Sequence, residues 1–271
     1  MDAGDDDHEP YDGPTYRLPE TISQSELRGA LDRLALFGSD PNFRNQAFNI
    51  ALVDEFVMKL ELNLLRQQFH EERAPIAEAA FVSAQSQMWI FAAYELMRTW
   101  RQRGKDIVKW ADNGGLEAKL AHLKRRTAYV HYGREFRARQ IEQVLASPAL
   151  LQNIRDDLRR THIPFTRIEA IRVSIAKHEF RGQKNSVALM PTHGRINRWC
   201  GSIDFELENE GAVMGTISRR DIADELRNIP NLPLPTDDDI RSFDEFMRGP
   251  PDDLDWGISQ ETNNPATSSH R

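Results

Sequence analysis

The run from Ile76 to Arg103 constrains the fold more than any other stretch of the chain. Pro75 suits the first turn of a helix, Gly104 ends the pattern, and apolar residues between them occupy most of the helical circumference. A helix that is apolar on nearly every side must be covered by other elements, so a bundle built around it is expected. The same run carries Glu78, Gln85, Gln87 and Glu95, too many polar groups for an uninterrupted membrane span. It reads as the buried central helix of a soluble bundle.

The neighbouring sequence supplies partners for it. Ser23 and Glu26 form a capping box ahead of Leu27, Leu31 and Leu34, with Gly38 as a stop. From about Phe48 to Glu72, residues Val53, Phe56, Val57, Leu60, Leu64 and Leu65 recur at helical spacing and are expected to face the core. Asn113, Gly114 and Gly115 mark a loop before a helical stretch from Leu116 to about Leu145, which Gly133 kinks or divides. Ser147 and Pro148 are an N-cap and a first-turn proline for a helix reaching about Arg160. Pro164 punctuates the next, where Ile168, Ile171 and Ile175 share a face between Phe165 and Glu179.

After Gly182 the period changes. Ile203, Phe205 and Leu207 alternate with Asp204, Glu206 and Glu208, as in a half-buried strand. Asn209 to Gly211 supply a turn, Val213 to Ile217 a return strand, and Val187 to Met190 a candidate third strand. Ser218 and Asp221 open a short helix with Ile222, Leu226 and Ile229 on one face, and another helix fits Asp237 to Met247. The expected fold is mainly α: a helical bundle over 21–183 and a β-hairpin plus helix appendage over 184–248. Acidic or polar tails over 1–20 and 249–271 are expected to be disordered.

Charge is unevenly spread. The net charge of -7 includes seven acids against one Arg in residues 1–20, and four acids against one Arg in 249–271. Positions 98–198 instead hold 22 Lys and Arg against 9 Asp and Glu, which points to an anionic partner unless those cations are solvated around the helices. The single cysteine, Cys200, forbids an intramolecular disulfide and a Cys-based zinc site, so a reducing, cytoplasmic location is expected. The acidic N-terminus is the opposite of a signal peptide.

The most specific short pattern is Ile171-Arg172-Val173-Ser174-Ile175-Ala176-Lys177-His178-Glu179. It resembles the motif of the HEPN superfamily, an Arg followed after four to six residues by His. Val173 and Lys177 stand where that family often has Asn and a second His. The resemblance implies a bundle of four or five helices that acts as a metal-independent ribonuclease, the Arg and His of two subunits meeting at a dimer interface. Arg172 and His178 would then be the catalytic pair, with Glu169, Lys177 and Glu179 in support. The chemistry suits these residue types without the family name: cleavage by the RNA 2'-hydroxyl needs a group that exchanges a proton near neutral pH and a cation to stabilise phosphate charge. Glu169, three residues before Arg172, is placed to hold its guanidinium.

A second candidate is Arg219 with Arg220, two cations in the first turn of a helix, where the macrodipole disfavours them. A bound phosphate would compensate, and so would Asp221, Asp224 and nearby strand acids. No Walker A loop, dinucleotide fingerprint, zinc-protease or serine-hydrolase motif occurs. No metal or cofactor is expected. RNA, a second copy of the chain or a protein are the expected partners, and a non-catalytic dimerisation and interaction module is the alternative to an enzyme.

Overall fold

The computed structural model describes residues 14–71, 75–125, 132–176, 195–209 and 212–249. It is mainly helical, and the long apolar run is its axis. This helix, α3 (Ile76–Asp112), follows α1 (Gln24–Asp32) and α2 (Pro41–Glu71) and precedes α4 (Leu116–Lys124), α5 (Tyr132–Ala146), α6 (Pro148–Arg160) and α7 (His162–Ala176). At 37 residues, α3 is about 55 Å long, enough to thread two apolar clusters. Trp89, Ile90, Ala93, Met97 and Trp100 fill the first, with α1, α2 and α7 around them. Ile107 enters the second, among Leu116, Ile141, Val144 and Ile154 of α4, α5 and α6. The indole nitrogens of Trp89 and Trp100 donate to the carbonyls of Ile50 and Ala35 at 3.0 and 2.9 Å, so both rings are buried without losing a hydrogen bond.

Several boundaries differ from the sequence expectation for steric reasons. Gly104 does not end α3; the helix runs on through it. A Cβ at this position would stand 3.2 Å from Leu158 Cδ2, so the glycine permits the close approach of α3 and α6. Pro164 lies inside the first turn of α7, where a missing N–H costs nothing. On α2 the expected core stripe divides: Val57 and Leu64 are buried, whereas Val53 and Phe56 face outward at 39% and 58% exposure. The buried face instead passes through Ala47, Ala51, Asp54, Met58 and Glu61, carrying two carboxylates into the interior.

The second half is not a hairpin alone. Strand β1 (Arg195–Ile196) pairs antiparallel with β2 (Ile203–Asn209), which pairs antiparallel with β3 (Ala212–Ser218). Residues 187–190, the candidate third strand, lie outside the described residues. Ile203, Phe205 and Leu207 of β2 and Ile217 of β3 join the same apolar cluster as α1, α3 and α7. So do Ile222 and Leu226 of α8 (Arg219–Asn228), so the sheet and α8 share the bundle's core. The last helix, α9 (Asp237–Arg248), has the capping box of Thr236 and Asp239.

Residues 14–20, expected to belong to a disordered tail, form a strap ending in a 3-10 turn at Pro19–Thr21. The Tyr16 hydroxyl donates to Asp221 at 2.7 Å, and the Arg17 carbonyl accepts from Arg220 at 2.7 Å. Polar anchors of this kind are invisible to an apolar period.

Candidate functional site

Arg172 lies about one turn from the C-terminal end of α7, on the seam that α7 forms with antiparallel α3. Ile168 and Ile171 turn inward, fixing the rotation of α7. Along the seam, residues seven apart recur on one helical face: Tyr94 and Arg101 on α3, Phe165 and Arg172 on α7. The Tyr94 and Phe165 rings stack at 5.6 Å. The Arg101 guanidinium covers Phe165 at 4.8 Å, and that of Arg172 covers Tyr94 at 5.1 Å. The result is a ladder of guanidinium, ring, ring and guanidinium, in which each cation gains from a π face.

Glu169 is beside Arg172 in this ladder but accepts its hydrogen bond from the Tyr94 hydroxyl, at 3.1 Å. Burial, reinforced by the Glu169 charge, pushes the Tyr94 phenol above its usual range and keeps it a donor. Arg172 forms no ion pair among the described residues, and its Nε is buried without a hydrogen-bond partner. Glu169 therefore positions the tyrosine over which Arg172 lies and does not clamp the guanidinium. Lys177, His178 and Glu179 lie outside the described residues.

Arg219 and Arg220 are held by protein carboxylates and carbonyls. Arg219 is fully buried; its Nε and Nη2 donate to Glu61 at 2.7 and 2.5 Å, and its Nη1 bonds Asp54. Asp54 also receives Arg227, Glu61 also accepts from Ser202 at 2.7 Å, and Trp89 lies 5.3 Å from the Arg219 guanidinium. Burial works against the charged form, but Glu61 and Asp54 outweigh it and hold the guanidinium above its ordinary range. Arg220, also buried, spans Asp224 at 2.9 Å and the Arg17 carbonyl. The expected phosphate contacts are thus replaced: Asp224 neutralises Arg220 as the neighbouring sequence suggested, but the acids on Arg219 come from α2, more than 150 positions away. A phosphate would have to displace two carboxylates from a closed interior.

Much of the positive excess over 98–198 is consumed in the same way. Arg103, Arg137, Arg155, Arg160 and Arg167 pair with Asp40, Asp106, Asp112, Asp157 and Glu225. In the loop after β1, Asn197 is a turn builder: its Oδ1 accepts from the Trp199 and Cys200 amides at 2.9 and 3.2 Å. The buried Cys200 thiol is pushed up to about 12, chiefly by burial, so it is no nucleophile at neutral pH. Among the described residues no cluster of His, Cys, Asp and Glu could hold a metal ion, and no helix is long and apolar enough to cross a membrane.

Comparisons with protein-family models, with curated proteins and with solved structures find no match to this chain. The site therefore has to be read from its geometry. Sequence reasoning missed Tyr94 and Arg101 as members of it. The available signal was their seven-residue spacing opposite Phe165 and Arg172, which an apolar count treats as ordinary core.

Proposed function

We propose that the chain is an RNA-directed, metal-independent endonuclease of HEPN type, working as a homodimer in the cytoplasm in bacterial defence or a stress response. One observation carries this reading: Arg172 is presented at an interhelical seam with no carboxylate on it among the described residues, in a molecule whose other cations are so often paired. A cation left without a counter-charge is suited to a developing phosphate charge. In this reading Arg172 stabilises that charge, His178 moves the proton, and Tyr94 with Glu169 sets the position of Arg172. Lys177 and Glu179 flank the histidine. The test is incubation of the purified protein with mixed RNA in chelator beside Arg172→Ala and His178→Ala. Cleavage by wild type and its loss in both variants is expected, and equal cleavage by all three refutes the assignment.

A second reading, a non-catalytic dimerisation module, is favoured by a different observation. Phe48, Leu52 and Phe56 are exposed at four-residue spacing on α2, and Phe81 and Met88 are exposed seven residues apart on α3. Residues 45–53 and 79–94 contain no Asp, Glu, Lys or Arg, so two copies of such a face meet without like-charge repulsion. Light scattering on Phe56→Asp and Met88→Asp separates the readings when joined to the RNA assay: monomers with no RNase activity in the parent protein favour the module.

A further inference from the structure

Arg101 is a buried cation that forms no ion pair among the described residues. It is 5% exposed, deeper than Arg172, yet among the described residues no carboxylate lies within ion-pair distance of it. Its Nη1 donates to two neutral oxygens, the Leu158 carbonyl at 2.8 Å and Thr161 Oγ1 at 2.5 Å. Its Nε is buried with no partner. Burial draws its pKa down to about 10, against the pull of the more distant Glu169, so at neutral pH it still carries its charge. A buried guanidinium in this condition is costly unless an anion completes it.

The surroundings supply a place for that anion. Arg101 lines a cleft of about 710 Å³ between α3, α6 and the segment leading into α9, within the usual size range of small-molecule sites. Lys105, one turn further along α3, lines the same cleft, is exposed, and forms no ion pair among the described residues. The cleft's other basic side chains are held: Arg155 by Asp112, Arg159 by Asp237 at 2.7 Å, and the His162 ring by Asp244 at 2.7 Å. Its acid, Asp156, accepts from Gln152 at 2.8 Å. Arg101 and Lys105 therefore stand one helical turn apart in the cleft with no carboxylate paired to either among the described residues, and Leu158, Leu234, Pro235 and Ile240 supply apolar lining.

We propose that this cleft binds a phosphate monoester, its dianionic phosphate received by Arg101 and Lys105 and its organic part resting on the apolar wall. A monoester carries close to two negative charges at neutral pH, matching the two free cations, whereas a diester linkage inside a nucleic-acid strand carries one. The cleft shares Arg101 with the ladder that ends on Arg172, but Arg172 itself does not line it. Its phosphate has two candidate carriers, a small organic ester and the phosphorylated end of an RNA strand.

The test is calorimetric titration of the full chain at low salt with four probes: inorganic phosphate, glycerol phosphate, and a short oligoribonucleotide with and without a 5'-phosphate. Saturable binding of inorganic phosphate at one site per chain is expected. The exposed Lys105→Glu change should weaken it by at least about tenfold, the loss of one charge-assisted contact. Arg101→Gln should abolish it; if that variant does not fold, Lys105→Glu decides alone. Arg172→Ala should bind as wild type does, so loss of RNA cleavage and loss of phosphate binding report on different sites. Tighter binding of glycerol phosphate, or of the phosphorylated oligonucleotide over its unphosphorylated twin, supports the proposal and names the carrier. No binding of any phosphate probe, equal binding of the two oligonucleotides as the sole interaction, or unchanged affinity in Lys105→Glu overturns it.

Discussion

Arg219 and Arg101 are both buried arginines whose guanidiniums lie near aromatic rings, and the molecule treats them in opposite ways. Around Arg219 the fold spends two acids of α2 and a serine after β1 on closing a network in which each Arg219 guanidinium nitrogen has an oxygen, and Arg227 brings a second cation to Asp54. Around Arg101 it supplies only a carbonyl and a hydroxyl on one nitrogen and leaves Nε bare. The first arrangement is closed and joins α8 to α2. The second opens onto a cleft. A buried charge thus marks structure or ligand according to whether its counter-charge belongs to the protein.

Truncating the closed network gives the largest expected effect. Arg219→Ala leaves Asp54 and Glu61 facing each other's field in the interior, and should cost about 3–5 kcal/mol in chemical denaturation. A loss under 1 kcal/mol would mean that the network is not the clamp described. Gly201→Ala follows at about 3 kcal/mol: φ there is +74°, and a Cβ would stand 2.0 Å from the Glu61 carbonyl oxygen. Urea unfolding against wild type reads both.

The open arginine should behave differently. Arg101→Met, measured in phosphate-free buffer, is expected to change stability by no more than about 1 kcal/mol, because the lost hydrogen bonds are offset by removal of an uncompensated charge. A loss as large as that of Arg219→Ala would erase the contrast. The smallest effect is expected at the strap's exposed edge, where Arg17 and the Ser23 amide hold the Glu26 carboxyl down to about 2 from 4.5. A depressed acid stabilises the fold above its unfolded value and loses that contribution as pH falls from 4.5 through about 2. The pair is about a third or more exposed, so Glu26→Gln should cost under about 1 kcal/mol at pH 7. That difference should shrink below pH 4.5 and vanish only below about pH 2 in thermal melts.

These contrasts also show what the sequence can carry. Ser23, Ser147 with Pro148, and Ser218 with Asp221 start helices where they stand, since a cap is a local hydrogen bond written in adjacent residues. The alternation of Ile203, Phe205 and Leu207 likewise reports a strand directly. Gly104 misled because the same residue that ends helices also lets them touch, and only Leu158 distinguishes the two uses. The outward turn of Val53 and Phe56 was hidden because Asp54 and Glu61, which look like surface residues, claim the inner face. Their reason for doing so, Arg219, lies in another part of the chain. Tyr94 and Arg101 stayed unseen for the same cause: a seam is a property of two helices, and each strand of the ladder alone is an unremarkable heptad.

The Arg219 network has a temporal consequence. Its contacts join positions 158 and 165 residues apart. At about 5–20 residues per second, roughly 10–30 s of synthesis separates the emergence of Glu61 from that of Arg219. Throughout that interval the inner face of α2 holds two carboxylates with no cation to meet them, so docking that face early would strand them away from water. The Arg219 contacts to Asp54 and Glu61 can therefore form only after α8 has left the ribosome.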